Sequence, residues 1–361
     1  MHTTVNHPAP TIIPGVELTA ERFTELYAWV SATAADTAFS IRRPFQYGLL
    51  IPYDGKPALS LEKKGESIIV SRCVGITPAG SVLGIFDDIH TPLTLELPLK
   101  DMRPQEQYHI LIELTRRQFS AFGPESTDLP YRPVHAMPAC QLHVQAAGQA
   151  MVSRSDAFCI GKLQMEYGEW QLAEYIPPCA QIGANPMLRE RYRTYLEEIN
   201  ELLALLPQIV VNTDAYHEKA MVELREFALQ LGSFSAFHKF KYQHLSEGGH
   251  PFDLFEFWAA FARQASFLLQ CLKDRPGFYN LLNENTRQRN GVYFTAQSWD
   301  AAIQQLANLN YNQQDILGAI QTVDIFLETV TPIFKALAYG VEQVKNRTVW
   351  EKEKRQEFTT W

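Results

Sequence analysis

The chain has 361 residues, 46% hydrophobic and 20% charged, a balance that excludes a disordered polypeptide and supplies apolar side chains for two or three domains. Its net charge of −8 argues against nucleic acid as a partner, because phosphate binding calls for a surplus of Lys and Arg on one face. The five cysteines, Cys73, Cys140, Cys159, Cys179 and Cys271, are odd in number, scattered and without a C-x-x-C pair, which fits free thiols in a reducing compartment rather than a disulfide framework.

The opening "MHTTVNHPAPTIIPG" has neither the basic start nor the apolar stretch of a signal peptide and reads as an extended arm. A helix is expected next, with Thr19 as N-cap and Phe23, Leu26, Tyr27 and Val30 at helical spacing. From Pro44 to about Ile176 the pattern is that of short strands: "QYGLLIPY", "ESIIVSRCVGI", "SVLGIF", "LTLELPL", "YHILIEL", "CQLHVQA", "FCIGKLQMEY" and "WQLAEYI". Turn formers such as "YDGKP" and "TPAG" separate some of them, and "GPESTDLPYRPVHAMP" reads as a Pro-rich loop. Short strands without intervening helices imply an antiparallel sandwich or barrel.

The stretch "EYIPPCAQIGANPMLRERY" marks a change of regime, with Pro177 and Pro178 closing the β half and Pro186 opening a helical one. Beyond it Leu188, Tyr192, Tyr195, Ile199, Leu202 and Leu206 form a heptad seam. That seam fits either the axis of a trimer or the interior of the chain's own bundle. Further helices are expected from about Asp214, from Pro251, and in two C-terminal segments. The last of these carries the stripe Ile316, Ile320, Val323, Leu327, Val330, Phe334, Leu337 and Val341, with a kink expected at Pro332. "KDRPGFYNLLNENTRQRNG" reads as an irregular connection and "KNRTVWEKEKRQEFTTW" as a charged, exposed tail. No run approaches the roughly 20 apolar residues that span a bilayer, so no direct membrane insertion is expected. The fold class is α+β: an arm and helix (1–43), an antiparallel β-sandwich (44–182), a C-terminal α-helical bundle (183–350) and a tail (351–361).

Catalytic signatures are absent: the sequence holds no G-x-G-x-x-G, Walker loop, G-x-S-x-G or H-E-x-x-H. His238, His244 and His250 recur every six residues, a step that scatters them around a helix, so they read as partly exposed polar positions and not as metal ligands. Asp87 and Asp88 read as loop residues, and Glu197 and Glu198 as the wet side of a helix. Cys179 lies too far before its helix to gain from the helix N-terminus. The aromatic series Phe227, Phe234, Phe237, Phe240, Phe252, Phe255, Phe257, Trp258 and Phe261 reads as bundle core, with some of it at a subunit interface. No catalytic residue, cofactor or metal is expected.

Several blocks, in order, resemble the TssK family of type VI secretion baseplate proteins, also called VasE or ImpJ. They are "PGVELTAERF", in which Gly15, Leu18 and Phe23 match while Arg22 replaces a family His and the family's Trp is missing; "RPFQYGLL"; "VSRCVGITPAG"; "LTLELPL"; "IGKLQMEYGEWQLAEYIPPCAQIGANPMLRERY"; and "HPFDLFEFWAAFARQASFL". Longer family members add a C-terminal head that docks on the membrane complex. This sequence stops after its helices, as in the short Bacteroidetes-like form. The resemblance implies a non-enzymatic homotrimer at the cytoplasmic side of the bacterial inner membrane. Its β shoulder would grip the wedge proteins TssF and TssG, through a region that includes Gly15, Leu18 and Phe23. Its helical neck would point toward the membrane-anchoring complex. A shoulder–neck junction at Pro177, Pro178 and Pro186 would then stiffen a device that transmits force. The alternative expectation is a phage-type receptor-binding protein, with a β shoulder that holds a glycan and a trimeric helical stalk.

Overall fold

The computed structural model describes residues 19–41, 46–125, 127, 133–148, 156–287 and 295–358. The chain divides into two compact units. The first comprises residues 1–189 with the short returns 247–251 and 312–316; the second comprises 190–246, 252–311 and 317–361.

Among the described residues the first unit holds helix α1 (Ala20–Ile41) and nine strands. Thr19 caps α1, its Oγ1 accepting the Arg22 amide at 3.4 Å. One sheet is formed by β1 (Gly48–Leu49), β2 (Leu59–Lys64), β3 (Ser67–Ile76), β4 (Val82–Ile85) and β5 (Leu93–Glu96). Strand β3 is its spine, with β1 and β2 end to end along one side and β4 and β5 along the other, all antiparallel. The second sheet has the order β7 (Pro133–Ala146), β6 (Tyr108–Glu125), β8 (Ala157–Glu166), β9 (Glu169–Leu172), again antiparallel. The alternation legible in the sequence is the alternation of burial: Ile68 and Val70 of β3 and Ile110 and Ile112 of β6 are sealed from solvent. The two sheets meet at glycines. A Cβ on Gly75 would lie 2.9 Å from the Phe158 ring, and one on Gly161 would lie 2.6 Å from the Leu61 side chain.

The second unit holds α2 (Pro186–Thr213, which begins in the first unit), α3 (Lys219–Gln243), α4 (Pro251–Cys271), α5 (Arg275–Arg287), α6 (Ala296–Ala307) and α7 (Ile316–Phe358). Its core is aromatic. Trp258 packs edge-on to Tyr195 (6.0 Å between centroids) and near Phe326 (6.4 Å), and Trp299 packs edge-on to Phe334 (5.8 Å). The α+β class read from the sequence is the class observed.

Several expectations need correction. Strand β2, "LSLEKK", gave no separate strand signal, since only two of its residues are apolar; its pairing with β3 supplies the order. The stretch read as a Pro-rich loop is largely strand: β6 and β7 extend beyond the reach of β8 as a two-stranded ribbon with Phe119 opposite Pro138 and Glu125 opposite Pro133. Proline is tolerated there because β7 is an edge strand. The "irregular connection" contains α5. Its start is fixed from a distance, by the buried Glu223 carboxylate accepting the Lys273 and Asp274 amides (3.1 and 3.3 Å), while Asp274 Oδ1 accepts the Gly277 amide (3.0 Å).

His250 is 3% exposed, a buried residue where a partly exposed one was expected. Glu198 is half-buried and accepts a hydrogen bond from Thr331 Oγ1 (3.1 Å); burial pushes its pKa up, which the wet-side reading missed. By length and composition Ile316–Tyr339 is apolar enough to cross a membrane, against the expectation that no run would be. Val323, Phe326, Val330 and Phe334 of this stretch are buried inside the chain, as in the core helix of a folded unit.

Candidate functional site

The segment joining the β strands to α2 is tied to the first unit by a series of backbone and side-chain hydrogen bonds. Pro177, Pro178 and Cys179 are buried. Their carbonyls have fixed roles: Pro178 O accepts the Leu49 amide (2.8 Å), and Leu49 O in turn accepts the Ala180 amide (2.9 Å), so residues 178–180 run as a short parallel partner on the outer edge of β1. The approach is close enough to exclude a side chain. Gly48 has φ +110°, and a Cβ there would sit 2.0 Å from Pro178 O.

The two returns of the chain are pinned to the same segment. Gln313 Nε2 donates to both Tyr47 O and Cys179 O, each at 2.8 Å, in buried surroundings. Ile182 N donates to Gly249 O and Gly183 N to Glu247 O, both at 2.8 Å. Gln181 reaches back through Oε1 to accept the Ile51 amide (2.8 Å). Asn185 then caps α2, its Oδ1 accepting the Met187 and Leu188 amides (2.9 and 3.3 Å), with Pro186 at the first helical position. The sequence pointed to the three prolines. It did not point to Gly48, Gln181 or Gln313, whose roles depend on residues far away along the chain.

The six seam residues are all buried within the single chain, from 0% exposure at Leu188, Tyr195, Ile199 and Leu206 to 8% at Tyr192. The seam therefore packs against the chain's own helices. Of the region assigned to wedge contact, Gly15 and Leu18 lie outside the described residues. Phe23 is 55% exposed on α1, on one face with exposed Tyr27 and Val30. The aromatic series divides: Phe227, Phe255, Phe257, Trp258 and Phe261 are core, whereas Phe237 and Phe240 on α3 are 82% and 70% exposed.

Nucleophilic chemistry at Cys179 is ruled out by its surroundings. The thiol is fully buried, Sγ donates to Pro177 O (3.2 Å), and burial raises its pKa far above the range of a reactive thiol. Among the described residues no group of three or more His, Cys, Asp or Glu side chains is placed to hold a metal. Asp87 belongs to a structural network. Arg72, buried on β3 with its guanidinium over the Phe86 ring, donates through Nη1 to Asp87 Oδ1 (2.8 Å) and through Nη2 to Asp54 Oδ2 (2.5 Å), so one cation fastens two turns. The Lys56 ammonium and then Arg72 hold the Asp87 carboxyl below the usual range.

No family model matches the chain, and no curated protein matches it by sequence. Solved structures do. A crystal structure of TssK aligns with 90% of this chain and 70% of its own, at 13% identity and a TM-score of 0.51. A chain of the baseplate complex from the type VI secretion system aligns with 92% of this chain and 99% of its own, also at 13% identity and 0.51. The likeness covers both units and is one of fold.

Proposed function

We propose that this chain, built on the TssK fold, is a structural subunit of a type VI secretion baseplate that works by binding and not by catalysis. The observation that carries the reading is the alignment of nine-tenths of the chain, β and helical units together, with a TssK crystal structure. The ordered sequence blocks support it independently, and the burial of Cys179 removes the most tempting nucleophile in the sequence. In this reading the chain assembles as a homotrimer at the cytoplasmic face of the inner membrane. It holds the wedge proteins TssF and TssG and links them to the membrane-anchoring complex. The exposed stripe Phe23, Tyr27 and Val30 on α1 supplies apolar area suited to such a contact.

The tied segment 177–186 has a mechanical role in this proposal. Buried Pro177 and Pro178 and the Gln313 hydrogen bonds stiffen the chain where it leaves the β unit. The test of the function is co-expression of the full chain with TssF and TssG from the same gene cluster, followed by affinity purification on a tag carried by TssG. Recovery of the chain in stoichiometric amount supports the proposal. Its absence from a complex in which TssF and TssG still co-purify rejects it.

A further inference from the structure

An open cleft of about 260 Å³ lies in the first unit between β2 and β8. Leu59 and Leu61 of β2 form one wall, Ile160 and Leu172 the other, and Pro177 part of its lining. Set into this apolar lining are two features of one electrostatic sign. The Lys162 ammonium lies 4.7 Å over the Tyr175 ring and forms no ion pair among the described residues. The Tyr175 hydroxyl is sealed from solvent beside the Cys159 thiol, so Tyr175 lines the cleft with its ring and not with its hydroxyl. Asn185, the N-cap of the 28-residue helix α2, and Pro186 at its first position are also in the lining, so the positive end of the helix dipole lies beside the cleft. Among the described residues no acidic side chain lines the cleft. A cation and a helix N-terminus around one apolar slot are complementary to a carboxylate carried next to apolar groups.

The backbone beside the cleft says what form the carrier takes. Among the described residues strand β2 ends its sheet and is paired with β3 alone, so its outer edge offers unused amide and carbonyl groups. The same edge, further along at β1, already accepts a strand-like segment, residues 178–180 beside Leu49. The cleft is also smaller than the ~300–1,000 Å³ pockets that enclose drug-sized ligands, and suits one or two side chains.

We propose that this cleft is a docking slot for an extended segment of a partner protein, which adds as a strand to the free edge of β2 and places a carboxylate at Lys162 with a branched apolar side chain beside it. Gly161 keeps the slot open, because a side chain there would collide with Leu61. The slot is made by residues of the first unit alone and does not depend on the baseplate reading.

The probe is a phage library of random eight-residue peptides selected on the purified full chain, with the enriched peptides synthesised and measured by fluorescence anisotropy. Enriched peptides carry Asp or Glu next to Val, Ile or Leu. The Lys162→Met variant binds them about tenfold more weakly. Lys162→Arg, which keeps the charge and serves as the folding control, binds within about threefold of the parent. Methylating alternate backbone nitrogens of the peptide abolishes binding, as strand addition requires. The proposal is overturned if no peptide is enriched, if the enriched peptides lack carboxylates, or if Lys162→Met binds them as the parent does. It is equally overturned if decanoate alone occupies the cleft in a Lys162-dependent way while peptides do not, since the slot would then serve small carboxylates.

Discussion

The Tyr195 hydroxyl on α2 donates to Asp324 Oδ1 on α7 at 2.9 Å, and Arg191 Nη2, one turn before Tyr195, sits 3.1 Å from Asp324 Oδ2. A member of the heptad seam is thus tied by hydrogen bonding to the chain's own last helix, with Tyr195 0% exposed and packed against Trp258. The hydroxyl is satisfied only inside one subunit. Tyr195→Phe leaves the ring packing intact, removes a hydrogen bond to a charged group, and lowers stability by about 1.5–3 kcal/mol. A double-mutant cycle with Asp324→Asn, read from urea midpoints, gives a coupling of about 1 kcal/mol or more. Additive midpoints contradict the link.

The junction depends on the close approach of Gly48 to Pro178. Gly48→Ala places a methyl group 2.0 Å from a carbonyl oxygen at a backbone angle that L-residues avoid. The expected cost is more than about 2 kcal/mol, seen as a lower melting temperature. Gly55→Ala is the comparison: it has φ +71° but nothing within 4 Å of its added carbon, so it costs only the backbone strain, about 1 kcal/mol. Equal melting temperatures for the two variants reject the packing argument.

The thiols rank by access. Cys73, Cys159 and Cys179 are at 0% exposure, Cys140 is half-buried with its pKa pushed up to about 11 by burial, and Cys271 is exposed. Brief iodoacetamide treatment of the native protein at neutral pH, followed by peptide mass mapping, places the label on Cys271, and Cys179 is labelled only after unfolding. Rapid native labelling of Cys179 contradicts its placement.

His109 gives the protein a pH response. It is buried, stacked on Tyr175 at 6.5 Å, and its pKa is held below the ordinary 6.5 by burial and then by the Lys162 charge. Between that lowered value and 6.5 the unfolded chain takes the proton and the folded chain does not. The stability contributed by neutral His109 is therefore complete above about pH 7 and falls as pH drops through 6.5 toward the folded-state value. The melting temperature of His109→Phe drops less between pH 7.5 and pH 5.5 than that of the parent. An identical drop in both rules out His109 as a source of the response.

Much of this architecture is legible residue by residue. Strands such as β3 declare themselves by alternation, and α4 by Pro251 at its start and a long apolar run. The seam from Leu188 to Leu206 is a periodic signal, but the period alone fits either a subunit axis or a bundle interior; only burial within one chain distinguishes them. What escapes the sequence is order imposed from afar. Strand β2 exists because β3 pairs with it, and α5 begins where Glu223, some 50 residues earlier, accepts its amides. Gln313 closes the junction across a separation of 134 residues from Cys179. Nothing local to Gly48 or Gln313 announces the partner that gives each its role. The prolines were visible because proline acts on its own backbone.

The proposed role as an oligomeric bracket is tested most directly by the mass of the purified full chain in solution. Light scattering at micromolar concentration is expected to give about three times the 41.1 kDa of one chain. Leu202→Ala, which opens a cavity inside the bundle, is expected to lower stability by about 2–5 kcal/mol without changing that mass. A stable 41.1 kDa monomer for the unaltered protein, at concentrations where it is fully folded, would contradict the account.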